Sequence, residues 1–307
     1  MSLYLGLDTS NYTTSVALYD GQGAVRHFKQ LLPVAAGEKG LRQSDAVFHH
    51  TRQLPDLLEQ ALQAAEQPLC AIGVSVRPTQ QTDSYMPCFL VGQAAARSLA
   101  AALHIPMHTY SHQQGHVAAA LLGSDSLSLR AAPFLAFHVS GGTTQALLVE
   151  PQGESICCTL VAESLDLKAG QLIDRVGLAL GLAFPAGPAL ERLAASATRD
   201  FSPKPSMDGL NCHLSGVENQ CAKLIAQGES APNVALFCLR SVQAALEGMT
   251  GRLLERYGPL PLVYAGGVMS NTLLREHFQK RYGGRFAPPA FSADNAAGVA
   301  VLASLAK

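Results

Sequence analysis

The sequence predicts an α/β protein built from two similar lobes, and an internal duplication is the main reason. Residues 3–23, LYLGLDTSNYTTSVALYDGQG, have the pattern of a strand, a polar loop and an antiparallel strand. Residues 133–153, PFLAFHVSGGTTQALLVEPQG, repeat that order at an offset of 130 residues, which places Thr13-Thr14 on Thr143-Thr144. A further β-rich segment and then helices follow each copy.

Two such lobes match the actin-like architecture of sugar kinases and heat-shock ATPases, which is a duplicated ribonuclease H-like unit. We expect the first lobe to cover residues 1–130, closed by a C-terminal helix over 294–307, and the second lobe to cover 131–293. In that architecture a nucleotide and a metal ion bind in the cleft between the lobes. A chance likeness between two hairpins is the alternative.

The order of elements in the first half follows from periodicity and turn residues. It reads β-β-β-α-β-α-β-α. The first helix should begin at Ser44 as its N-cap and bend at Pro55. The last strand of this half feeds a helix that opens with SHQQGHVAAALL, residues 111–122.

The second half is mainly helical after its hairpin. A helix over 166–182 is predicted to carry Asp166, Gly170 and Asp174. The Pro/Gly/Ser-rich segment 202–216 has the composition of a long loop. A buried strand, a Gly-Gly turn and a helix with Asn271 near its start follow, and an Ala-rich helix ends the chain.

The composition excludes several classes of protein. Of the 307 residues 48% are hydrophobic and 15% are charged, which supports a buried core rather than disorder. The formal net charge of −1 predicts no strongly basic surface, so nucleic-acid binding would need a local patch or a partner protein. Seven scattered Cys without a CxxC motif, and no membrane span or secretory signal, predict a cytoplasmic protein.

Two glycine-containing loops are candidates for nucleotide binding. SGGTTQ, residues 140–145, joins two apolar segments, and its glycines would let backbone N–H groups approach a phosphate. AGGVMSN, residues 265–271, joins a strand to a helix, where a base or ribose can pack. Plain turns explain both loops equally well when each is taken alone. Asp174, among apolar neighbours, could accept hydrogen bonds from ribose, or pair with Arg175 or Arg192 at the surface.

His112 and His116 are candidate metal ligands. At i and i+4 of a helix they share one face, and a metal ion would need a third and a fourth ligand, for which His138 and Asp294 are candidates. The alternative is one buried and one exposed histidine. A metalloprotease with an H-E-x-x-H motif is disfavoured, because Gln113 stands where that motif has its general base.

The ordered set of motifs resembles the TsaD/Gcp family over essentially the whole chain. The set is HxxxH at 112–116, VSGG at 139–142, an Asp helix near 174, P-x-G-P at 185–188, GGV-x-x-N at 266–271 and S-x-DN at 292–295. The resemblance implies an actin-like protein that binds ATP and a metal ion. It also implies transfer of a threonylcarbamoyl group from threonylcarbamoyl-adenylate to N6 of adenosine 37 of tRNA.

The resemblance assigns roles to individual residues. His112, His116 and Asp294 correspond to the family's iron or zinc ligands, and His138 falls where archaeal relatives have a Tyr ligand. The predicted nucleotide-binding or substrate-binding set is Val139, Ser140, Gly141, Gly142, Thr143, Asp174, Gly187, Gly266, Gly267 and Asn271. The nucleotide would be ATP or threonylcarbamoyl-adenylate. No catalytic side chain is assigned.

Several loops depart from the family pattern. Asn11-Tyr12 removes the acidic pair of the E-T-S-C-D-E-T segment, Arg77-Pro78-Thr79-Gln80 replaces G-P-G-L, and Thr143 replaces the His of SGGHT. The pattern therefore suits a divergent paralogue as well as the housekeeping enzyme. We expect tRNA binding through partner proteins of the pathway, in a homo- or heterodimer. The alternative is a nucleotide- and metal-binding paralogue without transfer activity, in a regulatory or assembly role.

Overall fold

A five-stranded mixed sheet forms the centre of the first half of the chain. The computed structural model describes residues 2–10, 12–33, 41–292 and 296–306. The strands are β1 (Leu3–Ser10), β2 (Thr13–Tyr19), β3 (Val25–Leu31), β4 (Leu69–Arg77) and β5 (Met107–Ser111). Their spatial order is β3-β2-β1-β4-β5. The first three strands form an antiparallel meander, and β1, β4 and β5 run parallel to one another.

Three helices connect and cover this sheet. They are α1 (Gln43–Gln63), α2 (Phe89–Leu103) and α3 (His112–Gly123), which confirms the predicted β-β-β-α-β-α-β-α order. The prediction of Ser44 as the N-cap was wrong, because the N-cap is Arg42, two residues earlier, and α1 begins at Gln43. The helix continues through Pro55, since Leu54 and Leu57 on either side of it are buried in the same apolar core as the sheet.

The second half contains the predicted copy of the sheet. Its strands are β6 (Phe134–Val139), β7 (Thr144–Gln152), β8 (Ser155–Glu163), β9 (Ser206–Asp208), β10 (Asn211–His213), β11 (Leu262–Ala265) and β12 (Arg285–Phe286). The large sheet has the order β12-β11-β6-β7-β8, and β9 pairs with β10 in a separate hairpin. Since β6 is antiparallel to β7 and parallel to β11, which is parallel to β12, the two large sheets share one topology.

Helices surround the second sheet. They are α4 (Ala169–Ala179), α5 (Gly187–Ala194), α6 (Ser215–Ala226), α7 (Ala231–Tyr257) and α8 (Thr272–Tyr282). The single turn α9 (Pro289–Ser292) and α10 (Ala297–Leu305) follow them in the chain, and α10 packs on the first sheet. The prediction of a long loop over 202–216 was wrong in part, because this segment contains the β9–β10 hairpin and the start of α6. The apolar core of this half includes Tyr264, stacked between Phe137 and Phe286.

The chain divides into two units. One comprises Met1–Ala132, Glu150–Cys158 and Ala290–Lys307, and the other comprises Pro133–Val149 and Thr159–Pro289. In the first unit α10 packs on the sheet, and a Cβ on Gly6 or Gly73 would overlap a backbone carbonyl of the segment 296–299. Among the described residues, none of the helices combines the length and the apolar character that crossing a membrane requires.

Candidate functional site

Asp8, near the carboxyl end of β1, is the centre of a buried polar cluster in the first unit. Its side chain accepts hydrogen bonds from the backbone N–H of Ser10 at 2.8 Å and from Ser75 Oγ at 2.7 Å. Its Oδ2 also lies 2.7 Å from His112 Nδ1. Because β1, β4 and β5 are parallel, their carboxyl ends meet at one edge, which is where open α/β sheets bind ligands.

The start of α3 fixes the position of the two predicted metal ligands. Ser111 and Gln114 form a capping box, in which each side chain accepts a hydrogen bond from the other residue's backbone N–H, at 2.8 and 3.2 Å. His112 is therefore the first residue of the helix, and His116 follows one turn later on the same face. Their Nε2 atoms lie 2.9 Å apart.

This histidine pair would need a small adjustment to hold one metal ion. Two nitrogens bound to a tetrahedral zinc ion at ~2.0–2.1 Å would lie about 3.4 Å apart, whereas the two Nε2 atoms lie 2.9 Å apart, which is the length of an N–H···N hydrogen bond. Asp8 on the Nδ1 side of His112 leaves Nε2 directed at His116, which is the carboxylate–histidine–metal arrangement of many metal sites. The structure thus brings His112 and His116 together and adds Asp8, which the sequence reasoning did not select.

The remaining predicted ligands are not tested by the structure. Asp294 lies outside the described residues. His138 lies on β6 in the second unit and is half-buried. In the described part of the chain no group of three or more His, Cys, Asp or Glu side chains is placed to hold a metal ion. His138 and Asp294 therefore stay predictions.

The groups around Asp8 are held neutral. Burial, opposed by smaller effects that include the charge of Asp8, lowers the pKa of the imidazole of His50 to about 4. Burial, and then the negative charge of Asp8, raises the pKa of the Cys88 thiol to about 11. At neutral pH both groups are therefore uncharged. The Cys88 thiol is not poised to act as a nucleophile.

The loop between β6 and β7 is a tight turn in the second unit. The backbone N–H of Ser140 donates to the carbonyl of Thr143 at 2.7 Å, and the N–H of Thr143 donates to Ser140 Oγ at 3.2 Å. Gly141 and Gly142 at its tip are exposed, and a Cβ at either position would meet no described atom within 4 Å. The tip is thus open to a ligand that approaches the backbone.

Two glycines allow neighbouring elements to pack directly on this loop. Gly170, in the first turn of α4, donates its N–H to the carbonyl of Ser140 at 3.1 Å, and a Cβ there would lie 2.6 Å from that carbonyl oxygen. Gly266 has φ +97°, and a Cβ there would overlap the backbone of Val139. The structure therefore brings the predicted residues Val139, Ser140 and Gly266 together.

Asp174 and Gly187 also lie side by side. Asp174 Oδ1 accepts the N–H of Ala186 at 2.8 Å, directly before the first residue of α5, Gly187. The predicted surface alternative for Asp174 is wrong for Arg175, which pairs with Glu218 instead. Asp174 is thus held next to the turn that precedes α5.

Asn271 is the N-cap of α8. Its side chain is buried and accepts the N–H of Leu274 at 3.2 Å. Gly267 begins a 3-10 turn that runs to Ser270. The side-chain oxygen of Asn271 therefore has a structural role, and its side-chain N–H groups carry any contact with a ligand.

Asp166 does not lie on the helix that the sequence predicts for it, because α4 begins at Ala169. It accepts hydrogen bonds from the N–H of Leu214 at 2.8 Å and from the N–H and hydroxyl of Ser215, at the start of α6. Partial burial would raise the pKa of this carboxyl, but these hydrogen bonds hold it well below its usual range. Asp166 therefore anchors a helix rather than a ligand.

Solved structures with the same fold are actin-like ATPases. Component A of (R)-2-hydroxyglutaryl-CoA dehydratase from Acidaminococcus fermentans is 14% identical, with a TM-score of 0.53 over 99% of this chain and 97% of that one. A ROK family glucokinase from Streptomyces griseus is 13% identical, with a TM-score of 0.53 over 99% of both chains. HypF of T. kodakarensis is 12% identical, with a TM-score of 0.59, and the match covers 99% of this chain but 46% of HypF.

The fold and the two glycine-lined turns thus define an actin-like ATPase-fold protein, which confirms the predicted fold class. A family model for tRNA N6-adenosine threonylcarbamoyltransferase, TsaD, matches residues 34–301. Since the match spans most of the 307 residues, the chain belongs to this family. Its general function is therefore of the tRNA threonylcarbamoyltransferase type.

Proposed function

We propose that this protein transfers the threonylcarbamoyl group from threonylcarbamoyl-adenylate to N6 of adenosine 37 of tRNA, with a bound divalent metal ion, iron or zinc. Membership of the family supports the class of reaction. The single observation that supports a metal-assisted transfer is the Asp8–His112–His116 cluster, with its distances of 2.7 and 2.9 Å.

The metal ion would be held by His112 and His116 through their Nε2 atoms. Asp8 would fix the orientation of the His112 ring through Nδ1, as carboxylates do behind many metal-binding histidines. Ser75 and the N–H of Ser10 in turn hold the carboxylate. When bound, such an ion supplies Lewis-acid polarisation of a carbonyl or phosphate oxygen.

The β6–β7 loop would hold the nucleotide. Its open tip at Gly141 and Gly142 allows a phosphate to approach the backbone. Asp174 beside Gly187 would accept hydrogen bonds from ribose hydroxyls, and Asn271 would donate to the ribose or base. The glucokinase of similar fold was solved with AMPPNP, which supports nucleotide binding by this architecture.

The transfer reaction moves only one proton, the one that N6 loses. The adenine N6 attacks the carbamoyl carbon, the bond from that carbon to the phosphate oxygen breaks, AMP leaves, and N6 loses one proton. Charge stabilisation and positioning of the adenylate therefore dominate. With a net charge of −1, the chain would bind tRNA with the help of partner proteins.

The test is nucleoside analysis of tRNA. Cells depleted of their other family members receive the wild-type gene, His112→Ala or the control His104→Asn, which changes an exposed histidine in a left-handed C-cap position that Asn tolerates. We expect threonylcarbamoyladenosine with wild type and with His104→Asn, and a loss of at least about tenfold with His112→Ala.

The second arm separates transfer from binding. The purified protein is titrated with a nucleotide and with zinc, and tRNA modification is measured in the cells of the first arm, which supply the partner proteins. Tight binding of both without any modified tRNA would refute the transferase proposal and leave a regulatory or assembly role. That alternative is motivated by the departures at Asn11-Tyr12 and at 77–80.

A further inference from the structure

Arg77, the last residue of β4, carries a guanidinium group that has no partner among the residues that the structure describes. Its Nε is buried and has no hydrogen-bond partner in the described part of the chain, where Arg77 also forms no salt bridge. By contrast, Arg26 in the same unit pairs with Glu66 at 2.6 Å. A buried N–H without an acceptor is unfavourable, so such a group in a native protein points to an absent acceptor.

The backbone places Arg77 beside the Asp8–His112–His116 cluster. Arg77 pairs with Ser111 across the parallel strands β4 and β5, and the carbonyl of Pro78 accepts the N–H of Gln113 at 3.0 Å. His112 lies between these two tethers. Neighbouring strands are ~4.8 Å apart, so the backbone of Arg77 is next to that of the first metal-binding histidine.

The local backbone also holds Arg77 in a fixed position. A residue before proline is restricted to extended conformations, and Pro78 follows Arg77. A bulge interrupts the pairing of β4 with β5 between Ser75 and Arg77. Bulges beside functional sites redirect a side chain, and here the redirected residue is a permanent cation.

We infer that Arg77 binds the phosphate group of a small phosphorylated ligand, at the carboxyl edge of the first sheet. The inference rests on the proposed function for the nature of the ligand. Guanidinium groups bind phosphate through paired, charge-assisted hydrogen bonds. Asp8, the carboxylate of the neighbouring cluster, is already engaged by Ser10, Ser75 and His112, and Arg77 forms no ion pair with it among the described residues.

The test compares ligands with and without a phosphate. The full-length protein is titrated by calorimetry with AMP, with inorganic phosphate and with adenosine. For Arg77→Gln we expect affinity for AMP and phosphate to fall by about 10- to 100-fold, because a charge-assisted hydrogen bond is lost. Affinity for adenosine should be unchanged. Arg77→Lys should restore part of the affinity for phosphate without the paired geometry.

The control is Arg97→Gln on α2, an exposed arginine whose loss should leave all three affinities at the wild-type level. Thermal unfolding verifies that each variant is folded. If Arg77→Gln does not fold, the affinities of Arg77→Lys are compared with those of the wild type instead. Equal AMP affinity of wild type and Arg77→Gln would overturn the inference, as would a wild type that binds neither AMP nor phosphate. A loss of tRNA affinity alone would overturn the assignment to a nucleotide.

The two proposals can fail separately. If Arg77→Gln loses AMP affinity while the wild type modifies no tRNA, the phosphate subsite stands and the proposed transfer fails. If tRNA is modified and Arg77→Gln binds AMP as the wild type does, the transfer stands and the subsite fails.

Discussion

Acid should destabilise this protein through one buried imidazole, that of His50. The side chain on α1 is 0% exposed, and burial lowers its pKa to about 4. Thr14 Oγ1 lies 2.6 Å from Gln53 Oε1 and 2.8 Å from His50 Nδ1. The other ring nitrogen of His50, Nε2, has no hydrogen-bond partner among the described residues.

The magnitude follows from the two pKa values. In the unfolded chain the imidazole of His50 has a pKa of 6.5, whereas in the folded protein its pKa is about 4. Between these two pH values the unfolded chain binds a proton that the folded protein does not bind. The contribution of the uncharged His50 to the free energy of unfolding is therefore fully present above about pH 6.5 and is lost as the pH falls towards about 4. The full loss is about 3 kcal/mol, of which about 2 kcal/mol is already reached at about pH 5.

Urea denaturation at about pH 7 and about pH 5 measures this loss. Other groups titrate in the same range, so the quantity to compare is the difference between wild type and His50→Gln, which has no proton to gain. We expect that difference to shrink by about 2 kcal/mol on acidification. An exposed histidine at the end of α2 provides the control, because His104→Asn should keep the wild-type acid loss. A difference independent of pH would refute the reasoning.

Three further perturbations test the sites and the packing. Asp8→Asn should lower zinc affinity about 10- to 100-fold in competition with a chelating dye, because the ring of His112 loses its anionic partner; unchanged affinity would contradict the role of Asp8. Gly170→Ala should weaken AMP binding measured by calorimetry, since the new Cβ lies 2.6 Å from the Ser140–Gly141 backbone, and wild-type affinity would count against this loop as the nucleotide site. Gly73→Ala should lower the free energy of unfolding by about 3 kcal/mol, because its Cβ would overlap the carbonyl of Val299. The control Gly216→Ala places its new Cβ in open space and should leave the free energy of unfolding unchanged. Equal losses of stability in Gly73→Ala and Gly216→Ala would refute the packing argument.

The order of elements was predictable because it depends on local patterns. Alternation of apolar residues predicted the two hairpins, and the offset of 130 residues predicted that the second half repeats the hairpin of the first. The strand order of the two sheets came from the structure. The β9–β10 hairpin was missed, since its two strands have three residues each and lie in a segment rich in proline and glycine. Asp166 was placed on α4 because periodicity does not locate the first turn of a helix to within a residue or two.

The candidate site was predictable in its histidines and loops but not in its support. His112 and His116 stand four residues apart in the sequence, so helical geometry alone brings them together. Asp8 is 104 residues from His112, and Ser75 is 67 residues from Asp8. Only the pairing of β1 with β4 and of β4 with β5 makes them neighbours, and no local pattern encodes that pairing. Nor does any local pattern predict that the guanidinium of Arg77 lacks a partner in the described part of the chain.

One residue links the duplication to the way each unit is assembled. Thr14 and Thr144 occupy the same place in the two hairpins. Thr14 binds side chains in the middle of α1, namely His50 and Gln53, whereas Thr144 Oγ1 accepts the N–H of Ala169, the first residue of α4. In both units a threonine at the start of the second strand therefore forms a hydrogen bond to the first helix after the meander, α1 or α4. In the second unit this bond is to the N-terminal end of α4, which is the end that packs on the open Gly141–Gly142 turn. The two copies share this threonine contact but differ in their polar groups, because Asp8 on the first hairpin contacts His112 and the second hairpin has the exposed Gly141–Gly142 turn.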